Sequence, residues 1–358
     1  SLKEQSDIEY ISLYCPGQTL TDVCPESLRS TWDHIVRSFE AYQISFSEAK
    51  ISLEENCFFD LVPPRFLHDF CKIKCEIAEH VLKNYSKPDD YDFNLSLTKV
   101  LEEIKYQKLN LNFNSKEHSY YAHKQKAKLL SSNNYINYNM FGSKTGRLTT
   151  AKGSFPILTL NKELRTVIEP NNEYFVELDY NAAELRVLLA LLGKDQPQED
   201  IHQWNLKNIY RNTGTREQAK QRIFAWLYNP DSEDHITTKT YNREEIKQKY
   251  WSAEKQKVTN KFGRTIDSDE NHALNYIVQS TSSDMFLRKM IDIFKLLEGR
   301  KSYIAFSLHD SLVIDFAEED KPLLKQIVEE FSSTALGHFK VNVGIGRNFG
   351  KMVKIDFK

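Results

Sequence analysis

The stretch VELDYNAAELR, from Val176 to Arg186, places a carboxylate where a predicted strand gives way to a predicted helix. The apolar run YFVEL predicts a β-strand that ends on Asp179, and AAELRVLLALLG predicts a helix closed by Gly193. Asp side chains commonly cap helices, so an N-cap is one interpretation of Asp179. The other is a functional carboxylate at a rigid strand tip, which requires a second acid from elsewhere in the chain.

A second acidic residue has a comparable position near the C-terminus. The β-rich runs YIAFSL and LVIDF flank His309-Asp310-Ser311, which predicts a hairpin with Asp310 at its turn. Two strand tips lying side by side would hold two carboxylates at a fixed separation. Such hard oxygen ligands suit a pair of Mg²⁺ ions about 3.5–4 Å apart. The sequence leaves open whether the two tips meet.

The segment TREQAKQRIFAWLYN predicts a helix that stops at Pro230. Every fourth residue forms one slowly drifting stripe on this helix, because four residues advance it by about 400°. The stripe consists of Arg216, Lys220, Phe224 and Tyr228. Two cations followed by two aromatic rings suit a triphosphate and then a sugar and base. A solvated amphipathic face is the alternative interpretation.

The composition limits the classes of protein. The 358 residues include 48 basic and 50 acidic side chains, so a nucleic-acid partner requires a local basic surface, for which the Lys-, Tyr- and Asn-rich segment 117–150 is a candidate. The five cysteines lack CxxC spacing, which favours a reducing compartment over a zinc site or a disulfide framework. No apolar run approaches about 18 residues and no signal peptide begins the chain, so the expectation is an intracellular, cytoplasmic protein without a membrane partner.

Other segments have simpler predictions. The first 60 or so residues show irregular periodicity, and the D-x-E pair of Asp7 and Glu9 is interpreted as a solvated acidic turn. A charged, turn-rich stretch is expected after Pro230. Helices are predicted for RFLHDFCKIKCEIAEHVLKNY after Pro64, for LSLTKVLEEIKYQKLN, for GRTIDSDENHALNYIVQSTSSDMFLRKMIDIFKLLEG and for KPLLKQIVEEFSSTAL, and a closing strand for VNVGIGRNFG.

Several of these motifs, in this order, resemble the polymerase module of the DNA polymerase I family (family A). DYNAAELR is similar to D-Y-S-x-x-E-L-R, with Asn181 where Ser is usual, and REQAKQRIFAWLY is similar to R-x-x-x-K-x-x-x-F-x-x-x-Y. SLHDS is similar to V-H-D-E, with Ser311 in place of Glu. TGRLTT, DIH, NYIVQSTSSD and VNVGIGRNFG support the resemblance, which runs from about Thr145 to the C-terminus.

The resemblance implies an α+β right-hand polymerase fold with an antiparallel palm sheet, a helical thumb and small helical fingers. The short intervals between motifs imply that the fingers are reduced. The implied boundaries are an N-terminal extension of unclear role (1–62), a mainly thumb segment (63–144), the palm with the first metal motif (145–199), the fingers (200–265), and the palm with the second metal motif and the C-terminus (266–358).

The resemblance also implies roles for individual residues. Asp179, Asp310 and the backbone carbonyl of Tyr180 would bind two Mg²⁺ ions, for which Mn²⁺ could substitute, and Lys220 would assist catalysis at the leaving pyrophosphate. The implied nucleotide-binding residues are His202, Arg216, Lys220, Phe224, Tyr228 and Glu184. The implied contacts with primer-template DNA are Arg147, Asn275, Gln279 and His309. Ser311 removes a third carboxylate, and Asn271 stands where Arg is common.

The implied activity is that of a monomeric DNA-templated DNA polymerase in DNA replication, which takes primer-template DNA and dNTPs and has no recognisable proofreading domain. One alternative is an enzyme like the single-subunit RNA polymerases, whose second motif often ends in His-Asp-Ser. The intact TGRL and Glu184 argue against it. A catalytically dead DNA-binding protein is the other alternative, and the presence of both metal-motif Asp residues argues against that.

Overall fold

A computed structural model describes residues 10–53, 56–113, 129, 133–229 and 231–355. The chain divides into two compact units, Ser1–Thr98 and Lys99–Lys358. Within the described ranges, no helix is both long and apolar enough to cross a membrane. Asp7 and Glu9 lie outside these ranges, and so does the part of the basic segment that precedes residue 133, apart from Leu129.

The first unit is built from helices. They are α1 (Tyr10–Tyr14), α2 (Leu20–Val23), α3 (Glu26–Glu48), α4 (Phe58–Leu61) and α5 (Pro64–Asn84), and α6 (Tyr91–Tyr106) begins there. Aromatic rings fill the core between α3 and α5, where Phe39 stacks on Phe70 with ring centroids 5.6 Å apart. Pro64 occupies the first turn of α5, where its missing N–H is harmless, and the helix predicted at this position is confirmed.

Helix α3 shows that the interpretation of the first 60 or so residues as irregular in periodicity was wrong for Glu26–Glu48. Its buried side chains Trp32, Ile35 and Phe46 recur at helical spacing, with Phe39 and Tyr42 partly buried between them. The helix is rich in Ser, aromatic and β-branched residues, whose intrinsic helix propensity is low. The 3.6-residue period of its apolar positions was therefore the better signal.

The second unit combines strands and helices, so the predicted α+β class is confirmed. Its strands are β1 (Asn110–Leu111), β2 (Tyr138–Asn139), β3 (Thr149–Thr150), β4 (Ile168–Glu169), β5 (Tyr174–Tyr180), β6 (Trp251–Ser252), β7 (Lys257–Thr259), β8 (Thr265–Asp267), β9 (Tyr303–Leu308), β10 (Ser311–Phe316), β11 (Ser333–Thr334), β12 (Gly337–His338), β13 (Val341–Gly346) and β14 (Val353–Ile355). The helices of this unit after α6 are α7 (Ala183–Leu191), α8 (Ile201–Asn208), α9 (Arg216–Tyr228), α10 (His235–Tyr241), α11 (Arg243–Tyr250), α12 (Glu270–Leu297) and α13 (Leu324–Ser332). Three 3₁₀ segments, Ile157–Thr159, Lys162–Val167 and Glu318–Leu323, complete it.

A five-stranded antiparallel sheet in the order β14-β13-β5-β10-β9 forms the centre of the second unit. In the central strand β5, Leu178 pairs with Leu312 on one side and Val343 on the other, and all three are buried. Because side chains alternate along a strand, the next residue, Asp179, faces the opposite side of the sheet. One face therefore forms the core, while the other can carry polar groups.

Several predicted helices differ from the structure at their ends, two of them for clear reasons. In KPLLKQIVEEFSSTAL only Leu324–Ser332 is α-helical, because Glu318–Leu323 forms a 3₁₀ helix before it and Ser333–Thr334 pairs as a strand after it. The long helix α12 starts at Glu270, capped by Asp269, so the residues before it were wrongly included in the helical prediction. They form β8 and its turn instead.

The stretch between α9 and α12 is more regular than the turn-rich segment that the sequence predicted. It contains α10, α11 and a small antiparallel sheet in the order β6-β7-β8. The Asp234 side chain caps α10 by accepting from the Thr237 backbone N–H, and Asn242 caps α11 in the same way from Glu245. These cap residues were available helix-start signals, but each helix is too short for its apolar period to stand out.

Candidate active site

The two predicted strand tips are neighbours. Strand β5 pairs with β10 so that Ser311 lies directly across from Asp179, which places Asp310, one residue earlier, in the β9–β10 turn beside it. His309 adopts φ +57° in that tight turn and is exposed. The hairpin predicted around Asp310 is thus confirmed. The pairing register of β5 and β10 also shows that the two strand tips lie side by side, which the sequence left open.

Asp179 does not cap the helix that follows it. The N-cap of α7 is Ala182, with φ +54° and no side-chain hydrogen bond, so that interpretation of Asp179 was wrong. The Asp179 Oδ2 atom instead accepts a hydrogen bond of 3.1 Å from Asn342 Nδ2, whose residue lies opposite it on β13. This carboxylate belongs to the polar face of the sheet.

Both acids carry raised pKa values. Burial raises the pKa of Asp179 to about 6, the charges of Asp310 and Glu177 add to the shift, and the Asn342 hydrogen bond opposes it. Burial also raises the pKa of Asp310, against the opposing charges of Arg147 and His309. Each carboxylate is therefore short of solvation and close to another negative charge, conditions that a bound cation would relieve.

The donor set fits a hard divalent cation. Two carboxylates and backbone carbonyl oxygen are the ligand types that Mg²⁺ takes in phosphoryl-transfer sites. The Tyr180 side chain is buried, and its hydroxyl donates to the Phe331 carbonyl at 2.7 Å. Within the described ranges, no three His, Cys, Asp or Glu side chains are already grouped around a metal position.

Glu177 is a third acid near this pair that the sequence analysis did not identify. It lies two residues before Asp179 on β5, on the same face, and its charge contributes to the raised pKa of Asp179. Burial raises the pKa of Glu177 itself, and a hydrogen bond with the Ser311 side chain opposes this shift. The period-2 alternation of YFVELDY was the signal that could have revealed it.

The helices α8 and α9 bring part of the predicted stripe together with His202. The His202 ring lies 5.8 Å from the Phe224 ring, and Phe224 stacks on Tyr228 with centroids 5.9 Å apart and planes within 9°. His202 is buried, and this burial lowers its pKa to about 4, with the charge of Lys220 acting in the same direction. The rings of Phe224 and Tyr228 therefore follow Arg216 and Lys220 along α9, and the His202 ring lies beside the first of these rings.

Arg216 is engaged by a carboxylate that the sequence analysis did not assign. Its Nε donates to Asp200 Oδ1 at 3.0 Å and its Nη2 to Asp200 Oδ2 at 2.8 Å, a bidentate geometry that is strong for this ion pair. Although burial works in the opposite direction, the hydrogen bonds from Arg216, Asn181 and the Gln203 backbone hold the pKa of Asp200 well below its usual range. Asp200 is the first residue of the DIH motif and the N-cap of α8.

Tyr228, Glu184 and Arg147 form one hydrogen-bonded network. The Tyr228 hydroxyl donates to Glu184 Oε2, and Arg147 Nη2 donates to Glu184 Oε1 at 2.7 Å. Gln279 is hydrogen-bonded to Tyr228, while burial and Glu184 raise the pKa of Tyr228 above its usual range. Asn275 shares with Tyr228 a cavity of about 160 Å³. Residues predicted for DNA and for nucleotide are therefore adjacent.

The residue before Arg147 packs against a second ion pair. The preceding residue, Gly146, has φ +78°, and a Cβ atom there would lie 2.7 Å from the Arg264 guanidinium. Arg264 Nη2 donates at 2.6 Å to Asp284, whose side chain is almost completely buried in α12. A glycine is therefore needed at position 146 both for its backbone conformation and for this close approach.

The site thus combines an antiparallel sheet, which carries two adjacent acidic strand tips, with a helix that carries cations and aromatic rings. The sequence profile described as DNA polymerase family A matches residues 231–351. This match supports a polymerase module of family A.

Similar proteins support this assignment at low sequence identity. The chain is 21% identical to "DNA polymerase I" of Borreliella burgdorferi, over 89% of this chain and 45% of that protein. It is 24% identical to "DNA polymerase I, thermostable" of Thermus filiformis, over 60% of this chain and 32% of that protein. The chain therefore spans less than half the length of these relatives.

One solved structure shares the fold. It is the POL domain of Pol1 from M. smegmatis in complex with DNA primer-template and dNTP, with a TM-score of 0.54 and 17% identity. The match covers 64% of this chain and 51% of that one. It supports the α+β polymerase fold.

Proposed function

We propose that this chain is a DNA-templated DNA polymerase that adds dNTPs to a primer 3′ end by two-metal phosphoryl transfer. The observation that carries the proposal is the register of β5 and β10, which places Asp179 and Asp310 side by side on a rigid sheet. The names of the two relatives and the ligands of the similar solved structure agree with DNA and dNTP as partners. We further propose that the polymerase acts as a monomer with reduced fingers.

Asp179, Asp310 and the Tyr180 carbonyl would hold the two Mg²⁺ ions. When bound, such ions activate the attacking oxygen and stabilise the leaving group in phosphoryl transfer. The protein contributes fixed placement of its carboxylates, because each lies at the end of a strand hydrogen-bonded to its neighbour. Asn342 limits rotation of the Asp179 side chain through its 3.1 Å hydrogen bond.

The cations of α9 would bind the incoming triphosphate. Arg216 exchanges its Asp200 partner for phosphate oxygens, which present a similar fork of acceptors to the guanidinium. Lys220, one turn further along, places a positive charge where negative charge develops on the leaving pyrophosphate. Phe224 and Tyr228 then offer their rings to the sugar and the templating base pair, with His202 beside the first ring.

The hydrogen-bonded network of Tyr228, Glu184 and Arg147 would discriminate between deoxyribose and ribose in the incoming nucleotide. Glu184 is held between Tyr228 and Arg147, so a ribose 2′-hydroxyl meets a ring and a carboxylate whose lone pairs are already used. We propose that Arg147, Asn275 and Gln279 contact the minor-groove edge of the primer-template, where the acceptors common to all base pairs report correct pairing. His309 would touch the primer terminus from the turn beside Asp310.

Primer extension tests the proposal directly. A labelled primer on a defined template should extend with dNTPs and Mg²⁺ or Mn²⁺, and an Asp179→Asn, Asp310→Asn double variant with an unchanged circular dichroism spectrum should not. Extension with rNTPs as efficient as with dNTPs would favour the RNA-polymerase alternative, which Ser311 suggests. Binding of primer-template without any extension would favour the DNA-binding alternative.

We also propose that this chain does not proofread. A 3′-mismatched primer incubated with the enzyme and Mg²⁺, without dNTPs, should keep its full length. Trimming that persists in the double variant would place a nuclease site elsewhere in the chain.

A further inference from the structure

Asn181 uses both ends of its amide at the junction between the metal-motif strand and the fingers. The side chain is 7% exposed, and its Nδ2 donates to Asp200 Oδ2 at 2.8 Å. Its Oδ1 accepts from the Ile201 backbone N–H at 2.8 Å and from Arg186 Nη2 at 3.2 Å. One side chain thus contacts the carboxylate and the first backbone N–H of α8 together.

The backbone of Asn181 is fixed as firmly as its side chain. Its N–H donates to the Lys340 carbonyl at 2.9 Å, which continues the sheet pairing of Asp179 and Tyr180. Its carbonyl accepts from Arg186 Nε at 2.9 Å. Arg186 is completely buried and also donates to carbonyls of the loop before α8, at Pro197 and Glu199. Little motion is available at this junction.

Asp200 connects Asn181 to α9 through hydrogen bonds. Its Oδ2 receives hydrogen bonds from both Asn181 and Arg216, and its Oδ1 from Arg216 and the Gln203 backbone N–H. A continuous path of side-chain hydrogen bonds therefore runs from Asn181 through Asp200 to Arg216. It begins two residues after Asp179 and ends on the first cation of the stripe.

We infer that Asn181 is a positioning residue. Through its hydrogen bond to Asp200, it fixes the position of the Arg216 guanidinium before the triphosphate binds. The inference rests on the proposed function, since it assigns Arg216 to the nucleotide. Serine, the usual residue at this position in the family that the motif resembles, has one short hydroxyl and cannot reach both the Ile201 N–H and the Asp200 carboxylate. When Arg216 moves to a triphosphate, Asn181 and Gln203 still satisfy the carboxylate that it leaves.

Substitution at Asn181 should therefore weaken nucleotide use more than DNA binding. For Asn181→Ser we expect the KM for dNTP to rise about tenfold, the change that follows from losing one hydrogen bond to a charged group. The Kd for primer-template should stay within about twofold. Asn205→Ser is the matched control, because Asn205 is a buried amide on α8 that bonds Tyr241 rather than Asp200. It should lower Tm without raising this KM.

A double-variant comparison separates positioning from a structural effect. In an Arg216→Ala background, Asn181→Ser should leave the KM for dNTP unchanged. The hydrogen-bonded path from Asn181 through Asp200 then no longer ends on the arginine that is proposed to bind the triphosphate. An equal rise in KM with and without Arg216 would overturn the inference. If Asn181→Ser does not fold, Asn181→Leu, which keeps the approximate shape and removes the donor without adding a charge, replaces it in both arms with the same expectation.

A measurement without turnover keeps the inference distinct from the proposed function. The Arg216 Nε–H signal in a ¹⁵N spectrum, assigned with Arg216→Lys, should exchange slowly in the wild type and markedly faster in Asn181→Ser. Unchanged exchange would overturn the inference. If the wild type extended no primer, the proposed function would fail, and this spectrum would still decide whether Asn181 positions Arg216.

Discussion

The acid pair of the sheet and the cation stripe of α9 are held in place by different means. Asp179 and Asp310 are placed by backbone pairing between β5 and β10, and burial raises both pKa values. Arg216 is placed by side-chain hydrogen bonds to Asp200 and remains 41% exposed. The sheet therefore holds charges that repel each other, while the helix holds a charge that already has a partner.

From this difference we expect the two regions to have different roles in the proposed reaction. A rigid, poorly solvated pair of acids suits groups that must keep their geometry throughout the reaction. A partly exposed arginine with an exchangeable carboxylate suits a group that must release one partner and take another. Substitutions in the sheet should therefore affect the chemical step most, and those on the helix nucleotide use.

The largest effect is expected for the acids. Asp179→Ala or Asp310→Ala should lower kcat by about 10³-fold or more, because a proposed metal ligand would be lost from the reacting centre. The Kd for primer-template, measured by fluorescence anisotropy, should change by less than about twofold. Asp267→Asn is the matched control, since Asp267 also ends a strand but is exposed. Near-normal extension by either Ala variant would exclude the two-metal assignment.

A smaller loss is expected on the helix. Lys220→Ala should lower kcat/KM for dNTP by about 10²- to 10³-fold, because the cation is worth most where charge develops in the transition state. Single-turnover extension over a range of dNTP concentrations would measure it. Lys207→Ala, at an exposed lysine of α8, should behave like the wild type. If Lys220→Ala reduced DNA affinity alone, Lys220 would belong to the template path instead.

Sugar choice should depend on the network between the two regions. Glu184→Ala should raise rNTP use relative to dNTP use by about tenfold to a hundredfold, because the 2′-hydroxyl would no longer meet an occupied carboxylate. Competition between paired dNTP and rNTP measures the ratio. Glu254→Ala, at an exposed glutamate between β6 and β7, is the control. An unchanged ratio in Glu184→Ala would assign selection to the Tyr228 ring.

The smallest effect is on stability and concerns His202. Its pKa is lowered from 6.5 to about 4, so between these values the unfolded chain binds a proton that the folded chain does not. Its contribution is therefore present above about pH 6.5 and is lost as the pH falls toward 4, by about 2 kcal/mol between pH 7 and pH 5. Urea unfolding of His202→Gln should show a shallower acid-side decline, and His235→Gln, at an exposed histidine, should not. Parallel declines in all three would exclude His202 as the cause.

Local patterns identified much of the candidate site. The strand ending at Asp179, the hairpin at Asp310 and the helix carrying the stripe were all predicted, because each depends on the period of apolar residues within a few turns or one strand. Helix α3 was missed although its period was present. The short helices α10 and α11 were missed because two turns give too few repeats to establish a period.

The sequence by itself determined which residues carry charge, which strands and helices present them, and the spacing that puts the members of the stripe on one face. The contacts that these residues make depend on the tertiary structure. Asn342 reaches Asp179 from 163 positions away, and Asp200 meets Arg216 only because two helices pack together. Such pairings depend on strand register and on packing between distant segments, and a pattern that repeats over a few residues holds no information about either.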